Sequence, residues 1–469
     1  MDQKFDLAVI GSGGAAMAAA IRATTLGKAV VMIERGTFGG TCVNTGCVPS
    51  KALIAAAHAR HTATDAVRFP GISATARPVD MAALIGGKQD LVQALRADKY
   101  DHVADSYGWR RIQGDATFAG TPENPVLRVG AEAIEAEHYL VATGAQPWIP
   151  PIDGLDQVDY LTSTTAMELS EVPESLLVLG GGYVALELAQ LFARLGSTVT
   201  MLVRSRLASR EEPEVSAALQ DVFADEGISV VDQAAIVKVE QTAGQAVVTA
   251  VVAGGQQHFR AQKLLVALGR RPVTDGLNLA AVEVKTGETG NIVVTDQLQS
   301  SNRSIWAAGD VTGHPEFVYV AAEHGAMVAD NIFGGAERSV NYGALPRVTF
   351  TSPAVGAVGA TEAELLAAGV RCECRVLPLT YVPRALVNRD TRGFIKLVAD
   401  ADTGRLRGIT AVAADAGEIA AAGVYILQAA MTIDQLARSW APYLTMAEGL
   451  KIAAQSFTTD VSQLSCCVS

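Results

Sequence analysis

Two stretches of the chain share the same order of apolar, glycine-rich and helical residues. Residues 4–10 (Lys-Phe-Asp-Leu-Ala-Val-Ile) have the apolar pattern of a buried strand and lead directly into a glycine-rich turn. The same order recurs at residues 175–204. A strand, a glycine turn and a helix in this order are typical of a dinucleotide-binding unit. The two units are far apart in the chain, which predicts two separate nucleotide-binding domains.

The second half of the chain has different patterns. Residues 305–310 are predicted to form a strand that runs into a loop, followed by a helical stretch to about Phe333. From about Ala344 the apolar periodicity changes, and helices are predicted over residues 362–368 and 417–437. We therefore predict an α/β fold with two Rossmann-like nucleotide-binding domains and an α+β C-terminal dimerisation domain. The predicted boundaries are residues 1–150, 151–271, 272–343 (a central segment returning to the first domain) and 344–469.

Composition excludes several classes of partner. A length of 469 residues suits about three domains. The net charge of −12 argues against nucleic acid or an anionic membrane as a partner. No apolar run is long enough to span a membrane, and the first strand leaves no room for a signal peptide. Six cysteines are too few for a disulfide-stapled secreted scaffold, so we expect a cytoplasmic protein with functional thiols.

The first glycine turn has the features of an FAD site. Glycines in such a turn let backbone N–H groups approach a pyrophosphate at the start of a helix. Glu34, at the end of the next strand, would accept hydrogen bonds from ribose hydroxyls and repel a 2′-phosphate. The alternative is a turn with a purely structural role, which the position of Glu34 disfavours. The residues assigned to the turn are Gly11, Gly13, Gly14 and Ala16.

The second glycine turn differs from the first at one informative position. The corresponding strand end carries Arg204, followed by Arg206 and Arg210, and no carboxylate. Arginines at this point suit a 2′-phosphate, because they form bidentate charge-assisted hydrogen bonds. The alternative is a solvated basic turn. The contrast between the two turns predicts FAD at the first and NADPH at the second, with Gly180, Gly182 and Ala185 in the NADPH turn.

Two cysteines shortly after the first turn form a candidate redox pair. Cys42 and Cys47 enclose four residues. A four-ligand metal site would need further thiols or histidines nearby, and none follow at zinc-like spacing. A disulfide at the start of a helix is the better interpretation, since a helix N-terminus and a nearby cation lower a thiolate pKa. Lys51, one helical turn beyond Cys47, is expected to bring its ammonium beside the flavin.

The segment around these cysteines resembles a known active site. Residues 39–51 (Gly-Gly-Thr-Cys-Val-Asn-Thr-Gly-Cys-Val-Pro-Ser-Lys) closely resemble the active-site segment of the pyridine nucleotide–disulfide oxidoreductases. The resemblance covers nearly the whole chain, including residues 142–147, the second glycine turn, residues 308–310 and residues 355–361. This family includes glutathione, trypanothione, thioredoxin and mercuric reductases and lipoamide dehydrogenase. The resemblance implies a homodimer with FAD, NADPH-binding, central and interface domains.

The resemblance also implies roles for individual residues. Cys47 matches the charge-transfer thiol next to the flavin, and Cys42 matches the interchange thiol. Asp310 matches the residue that binds the ribityl chain of the flavin. Glu187 matches the partner of the active-site lysine near flavin N5, and Tyr183 matches the aromatic gate that moves for nicotinamide. The matching motifs further assign Thr41, Lys51, Thr143 and Gly144 to the FAD site and Gly269 to the NADPH site, where Tyr183 and Glu187 also belong.

The chain departs from the disulfide reductases of this family at the general acid. Those enzymes use a histidine followed by a glutamate from the partner subunit, whereas the matching segment here runs from Tyr443 to Glu448, and no histidine follows His324. An unperturbed tyrosine titrates near pH 10, so it protonates a leaving thiolate poorly at neutral pH. Mercuric reductases resemble this chain at that tyrosine. They have a second active-site tyrosine, which best matches Tyr100, with Tyr107 as the alternative.

Two adjacent cysteines stand close to the C-terminus. Cys466 and Cys467 follow a polar segment that is expected to be mobile. In mercuric reductases a similar pair collects Hg(II) and passes it to the inner dithiol of the other subunit, by exchange between thiolates. Some large thioredoxin reductases instead use such a pair as a relay disulfide, but they keep the histidine. Cys372 and Cys374 are interpreted as structural residues on a strand.

These features predict an enzyme that reduces Hg(II) to Hg(0) with electrons from NADPH. The metal ligands would be Cys42, Cys47, Cys466 and Cys467, with active sites shared between the subunits of a homodimer. The alternative is an NADPH-dependent disulfide reductase of the thioredoxin or glutathione reductase type. A metal-sequestering protein without turnover is a third possibility, which the two nucleotide sites disfavour. The chain is expected to be a catalytic core without an N-terminal metal-binding domain.

Overall fold

The computed structural model describes residues 4–463. The predicted strand before the first glycine turn forms Phe5–Ile10, and the helix after the turn begins at Gly14. Apolar residues fill this strand because both faces of the parallel sheet are covered. The elements up to residue 147 are β1 Phe5–Ile10, α1 Gly14–Thr25, β2 Val30–Glu34, α2 Gly40–Asn44, α3 Cys47–Asp65, α4 Met81–Arg96, α5 His102–Tyr107, β3 Arg110–Gln113, β4 Ala116–Gly120, β5 Pro125–Val129, β6 Glu132–Ile134, β7 Ala136–Val141 and β8 Ala145–Pro147.

The second glycine turn also stands between a parallel strand and a helix. The sheet of this part has five parallel strands, and a three-stranded antiparallel sheet is attached to it. The elements are β9 Tyr160–Leu161, α6 Ser163–Ala166, β10 Ser175–Leu179, α7 Tyr183–Leu195, β11 Thr198–Leu202, α8 Pro213–Asp225, β12 Ser229–Val231, β13 Ala235–Thr242, β14 Gln245–Val252, β15 Gly255–Ala261, β16 Lys263–Val266 and β17 Arg270–Pro272. The parallel sheet has the order β12-β11-β10-β16-β9.

The chain then returns to the first sheet. The strand predicted near residue 305 is β18 Ile305–Ala307, which pairs with β7, and the helix that follows is α9 Val318–Phe333. The first sheet thus has the order β18-β7-β1-β2-β3, with neighbouring strands parallel. Helix α9 packs closely on α1 at Gly325, where a Cβ atom would overlap the carbonyl oxygen of Ala15. This packing fixes the start of α1, and with it the first glycine turn.

The last part of the chain is an antiparallel sheet covered by helices. The strand order is β19-β20-β23-β22-β21, so β21 is at one edge of this sheet. A helix predicted over residues 362–368 is present, one residue shorter. The elements are β19 Pro346–Thr349, β20 Ala354–Gly359, α10 Glu362–Ala367, β21 Cys372–Pro378, α11 Pro383–Asn388, β22 Phe394–Asp400, β23 Leu406–Ala413, α12 Ala416–Gln428, α13 Ile433–Ala437 and α14 Glu448–Gln455.

The prediction of one helix over residues 417–437 was wrong. The structure has two helices, α12 and α13, separated by a turn. Ala430 takes a positive φ of 50°, which a continuous right-handed helix does not allow. Thr432 then caps α13, because its hydroxyl accepts a hydrogen bond from the Gln435 N–H. The side-chain oxygen of Gln435 in turn accepts one from the Thr432 N–H. This capping box provides a new helix start and so stabilises the break.

Helices α3 and α7 bring the two nucleotide-binding parts together. Leu53 and Ala57 of α3 are fully buried in a core that also contains α7, the second parallel sheet and Phe394 of the last part. The antiparallel pair of β8 and β17 makes a further connection between the two parts. The side of α3 that carries Leu53 and Ala57 therefore packs against the second nucleotide-binding part. Among the described residues, no helix combines the length and apolar character needed to span a bilayer.

Candidate active site

Cys42 and Cys47 lie on consecutive helices that start beside the first glycine turn. Cys42 is in α2, and Cys47 is the first residue of α3. Both are free thiols, and the hydrogen bond that Cys42 donates to Cys47 is the main reason that the pKa of Cys47 falls to about 7. The charge of Lys51 lowers it further, whereas the same hydrogen bond and burial raise the pKa of Cys42. Cys47 therefore carries the thiolate and Cys42 the proton.

Glycines bring the dithiol segment against the first turn. Gly39 and Gly40 have positive φ angles of 110° and 69°, which residues with a side chain rarely adopt. A Cβ atom on Gly40 would lie 2.5 Å from the Cα atom of Gly13. The start of α2 is thus held against the start of α1, and a ligand in the first turn would lie beside Cys42.

Lys51 is held by a buried carboxylate from the second nucleotide-binding part. Its Nζ lies 2.7 Å from Glu187 Oε2 and 4.7 Å from the centre of the Phe350 ring. Glu187, on α7, is only 5% exposed, and its other oxygen accepts a hydrogen bond of 2.9 Å from the Phe350 N–H. Phe350 was not found from the sequence, since nothing in its local pattern signals a contact with Glu187. The predicted pairing of Lys51 with Glu187 is present in the structure.

Tyr183 begins α7 and stands among charged and aromatic side chains. Its ring centre is 6.4 Å from that of Phe317, and its hydroxyl donates to Glu316. Burial, followed by the charge of Glu316, raises the pKa of Tyr183 to about 12. Arg270 lies 3.9 Å from Glu316, and its charge opposes the burial that raises the pKa of Asp310. Tyr183 and Asp310 therefore lie close enough for the charge of Asp310 to act on Tyr183. Sequence reasoning assigned no role to Arg270, the first residue of β17, or to Glu316.

The first turn fits a dinucleotide whose ribose has free hydroxyls. Gly11 has a φ of 107°, and a Cβ atom there would overlap the carbonyl oxygen of Ala142. Ser12 donates a 2.6 Å hydrogen bond to Glu34 and accepts one of 2.9 Å from the Gly39 N–H. These bonds hold the Glu34 carboxylate at the turn, where it would meet a ribose. Ser12 was missed because the glycine pattern leaves its position unspecified.

The second turn has the same shape but a basic strand end. Gly180 has a φ of 126°, and Gly182 leaves open space around its Cα. Arg204 follows β11 with an exposed side chain. Arg206, grouped with it in the sequence, instead binds Ser216 Oγ at 2.6 Å and nearby backbone oxygens, so it stabilises the loop. Arg210 is exposed and lies close enough to Tyr183 to influence its pKa.

The other residues predicted to contact cofactors lie on these same elements. Thr143 donates a 2.6 Å hydrogen bond to the carbonyl of Val273, and so contributes to the turn after β7. The remaining predicted contacts are Gly14 and Ala16 in α1, Thr41 in α2, Ala185 in α7, and the positive-φ glycines Gly144 and Gly269.

Of the two candidate tyrosines, Tyr100 is the one near the dithiol. Its pKa is raised by burial and by the charges of Cys42 and Cys47. Tyr107, the last residue of α5, instead stacks on Trp109, with ring centres 5.2 Å apart. Tyr443 belongs to the last part of the chain, between α13 and α14, and is 50% exposed. The predicted ligands Cys466 and Cys467 lie outside the described residues.

Comparisons with known proteins agree with this geometry. Residues 5–325 match the family described as pyridine nucleotide-disulphide oxidoreductase, and residues 345–454 match its dimerisation domain. Mercuric reductase from Streptomyces lividans is 58% identical over 468 residues, covering 99% of this chain and 98% of that protein. Mercuric reductase from Shigella flexneri is 46% identical over 464 residues, covering 98% of this chain and 82% of that protein.

Two solved structures have closely similar folds. The HOCl-induced flavoprotein disulfide reductase RclA from Escherichia coli, in its Cu(II) complex, has a TM-score of 0.86 and 28% identity, covering 97% of this chain and 100% of that one. LpdA from Mycobacterium tuberculosis has a TM-score of 0.86 and 26% identity, with the same two coverages. The matched family spans both nucleotide-binding parts and the last part. The chain therefore belongs to the pyridine nucleotide–disulphide oxidoreductase family.

Proposed function

We propose that this chain reduces Hg(II) to Hg(0), with NADPH as the electron donor and FAD as the carrier. In the overall reaction, Hg(II) and NADPH give Hg(0), NADP⁺ and one proton, so two electrons pass to each metal ion. The observation that carries the proposal is the chemistry of the site. A thiol–thiolate pair, Cys42 and Cys47, stands beside the Lys51–Glu187 ion pair, and no histidine follows His324 to act as the acid that disulfide reductases use. The 58% identity to a mercuric reductase over nearly the full length of both chains supports the same function.

FAD and NADPH are assigned from the two turns. The first has an open glycine turn and the fixed carboxylate of Glu34, which suit FAD, whereas the second has the exposed Arg204, which suits the 2′-phosphate of NADPH. The bound flavin would supply the two-electron relay between dihydronicotinamide and dithiol. On this proposal Lys51 and Glu187 orient the flavin edge, and Tyr183 covers the nicotinamide position until the reduced nucleotide binds.

Cys42 and Cys47 are proposed to hold the substrate ion. Hg(II) prefers thiolates, and it moves by exchange from one thiolate to another. Cys47 is about half ionised near neutral pH, so it offers a thiolate ligand to the Hg(II) of an incoming Hg(II)–thiol complex. Cys42 follows as its proton is released, and the displaced carrier thiols leave. Both sulfurs then hold the ion beside the electron donor.

The missing acid argues against a disulfide substrate. The cleavage of a disulfide needs a proton for the leaving thiolate. The chain has seven histidines, all at or before His324, so the segment from Tyr443 to Glu448 offers none. Glu448 itself is buried and accepts a hydrogen bond from the Leu444 N–H. Tyr443 and Tyr100 are instead proposed to contact the thiolate-bound cation, Tyr443 from the partner subunit.

Homodimer formation is expected from the dimerisation domain. Within such a dimer we propose that Cys466 and Cys467 of one subunit collect Hg(II) and deliver it to Cys42 and Cys47 of the other. A pair of thiols tethered to the partner raises the local thiol concentration near the site, which favours transfer.

A turnover assay tests the function. NADPH oxidation is followed with Hg(II) buffered by excess thiol, and separately with oxidised glutathione, thioredoxin and lipoamide. We expect turnover with Hg(II) that Cys42→Ala abolishes and that Cys372→Ala, a matched removal of a thiol from another domain, retains. Rapid turnover of a disulfide with none on Hg(II) would refute the proposal. Cys466→Ala/Cys467→Ala should lose activity mainly when carrier thiols are scarce, and unchanged kinetics would remove the delivery role.

The proposed role of Tyr100 is tested by comparing two matched variants. Tyr100→Phe removes a hydroxyl near the dithiol, whereas Tyr107→Phe removes one from a ring stacked on Trp109. We expect kcat for Hg(II) to fall about tenfold or more in the first variant and to stay unchanged in the second, as loss of one hydrogen bond to a charged group costs about 1.5–3 kcal/mol. Equal kcat values in the two variants would contradict the role of Tyr100.

A further inference from the structure

A second pair of thiols lies on the last part of the chain, away from the dithiol. Cys372 and Cys374 are two residues apart on β21, so both side chains point to the same face of this edge strand. Glu362, the first residue of α10, is near the same face. One oxygen of Glu362 and the two sulfurs all lie within 4.8 Å of one another. All three residues are partly buried, which leaves them accessible to a small ion.

The spacing suits two thiolates bridged by an ion better than a disulfide. Residues two apart on a strand have Cα atoms about 6.6 Å apart, near the upper limit of the range usual for disulfides. Both cysteines are free thiols in the structure. A metal–thiolate bond is about 2.3 Å long in zinc sites, so one ion joins sulfurs up to about 4.6 Å apart. The 4.8 Å cluster therefore needs little rearrangement to close around a cation.

The charges beside the cluster also favour a cation. Lys396 is almost fully buried and donates to Glu362 at 2.9 Å, to Glu214 at 2.9 Å and to Glu212 at 3.1 Å. Three carboxylates thus share this ammonium, which leaves a local excess of negative charge. One oxygen of Glu214 is buried without a hydrogen-bond partner in the described part of the chain. Lys396 also orients the Glu362 carboxylate before an ion arrives.

We propose that Cys372, Cys374 and Glu362 form a second site, for a thiophilic divalent cation such as Cd(II) or Hg(II). On binding, the cation forms two metal–sulfur bonds and one metal–oxygen bond. The two S–H bonds break, and their protons leave to solvent, so no electron is transferred. Thiolates select a soft cation over Mg(II) or Ca(II), which prefer oxygen ligands. Burial, followed by the charge of Glu362, raises the pKa of Cys374 to about 12, so this thiol gives up its proton only when a cation takes its place.

The site is tested by counting bound Cd(II), a soft cation that is not the proposed substrate. Cys42→Ser/Cys47→Ser/Cys466→Ser/Cys467→Ser leaves Cys372 and Cys374 as the remaining two of six cysteines. Equilibrium dialysis of this full-length protein should give one Cd(II) per chain, with absorbance of a thiolate–metal bond in the near ultraviolet. Adding Cys372→Ser should weaken binding at least tenfold, and Glu362→Gln should weaken it less. Zn(II) in place of Cd(II) should bind more weakly.

A second measurement distinguishes loss of the proposed site from misfolding of the variant. In the otherwise unchanged chain, Cys372→Ser/Cys374→Ser should lower the Cd(II) stoichiometry by one while NADPH-dependent Hg(II) turnover and the melting temperature stay unchanged. The proposal is overturned if the four-serine variant folds but binds no Cd(II), or if the stoichiometry is the same with and without Cys372 and Cys374. It is also overturned if air alone converts the pair to a disulfide that Cd(II) does not prevent.

Discussion

The hydrogen bond between the two active-site thiols can be tested by changing its donor. Cys42 donates to Cys47, and this bond is the largest cause of the low pKa of Cys47. Cys42→Ala removes the donor, whereas Cys42→Ser keeps a hydroxyl donor in nearly the same place. Lys51 remains in both variants and continues to favour the thiolate. We therefore expect the pKa of Cys47 to rise in Cys42→Ala and to stay near its original value in Cys42→Ser.

The expected loss of thiolate at Cys47 is bounded by its pKa in the structure and by the ordinary pKa of a cysteine. The pKa of Cys47 is lowered from an ordinary value of 9.0 to about 7. At pH 7 a thiol of pKa about 7 is half ionised, whereas one of pKa about 8 is about 9% ionised, and one of pKa about 9 about 1%. In the Cys42→Ala variant the charge of Lys51 still keeps the pKa of Cys47 below 9.0. Because Cys47 is exposed, solvent screens this charge, so the lowering is partial. The thiolate fraction at pH 7 should therefore fall about fivefold.

The assay is the rate of alkylation of Cys47 by iodoacetamide as a function of pH in the fully reduced protein. Peptide mass spectrometry separates this thiol from the other cysteines. Because only the thiolate reacts, the rate rises with pH through the pKa, so the midpoint should move to higher pH in Cys42→Ala. The reasoning is refuted if that midpoint stays near pH 7, or if Cys42→Ser moves it as far as Cys42→Ala does.

Three further changes probe the rest of the site. Glu187→Gln should lower the pKa of Cys47, because the Glu187 charge raises that pKa, and it should leave the melting temperature nearly unchanged. Glu187→Ala should destabilise the fold by about 1–3 kcal/mol, since the Phe350 N–H loses its acceptor. Arg204→Glu should raise KM for NADPH at least about tenfold with little change for NADH, which steady-state kinetics will measure, and equal changes would contradict a 2′-phosphate contact. Gly11→Ala should cost about 1–3 kcal/mol in thermal unfolding and lower the flavin content of the purified protein, because its φ is positive and its Cβ meets a carbonyl.

Local patterns predicted the nucleotide-binding elements well. A strand, a glycine turn and a helix are specified by neighbouring residues, so Phe5–Ile10 and the helix from Gly14 could be recognised before any tertiary contact was known. The end of β2 at Glu34 followed from the same repeat. The break between α12 and α13 was missed because the apolar period runs through it. Its signal was the Thr432–Gln435 capping box, which periodicity does not detect.

Long-range contacts in the site had no local signal. Lys51 and Glu187 are 136 residues apart, and their pairing came from family resemblance rather than from any pattern in the chain. Phe350 contributes a backbone N–H, which every residue except proline has, so its type does not reveal the contact. Arg206 shows that a nearby charge in the sequence does not reveal its partners. It follows Arg204 by two residues, yet its guanidinium donates to the backbone oxygens of Ser209 and Glu211.

Besides Cys42, three parts of the chain supply the groups of the charged network beside Cys47. Lys51, which favours the Cys47 thiolate, comes from the first part, Glu187 from the second, and the Phe350 N–H from the last. Glu187 is nearly fully buried, so its charge is tolerated only while both donors are present, because an unpaired buried charge costs several kcal/mol. A rotation of the second nucleotide-binding part that carried α7 away from α3 would separate Lys51 from Glu187. The same motion would therefore change the ionisation of Cys47 and move Tyr183, the proposed nicotinamide gate, because Tyr183 and Glu187 both lie in the first turns of α7.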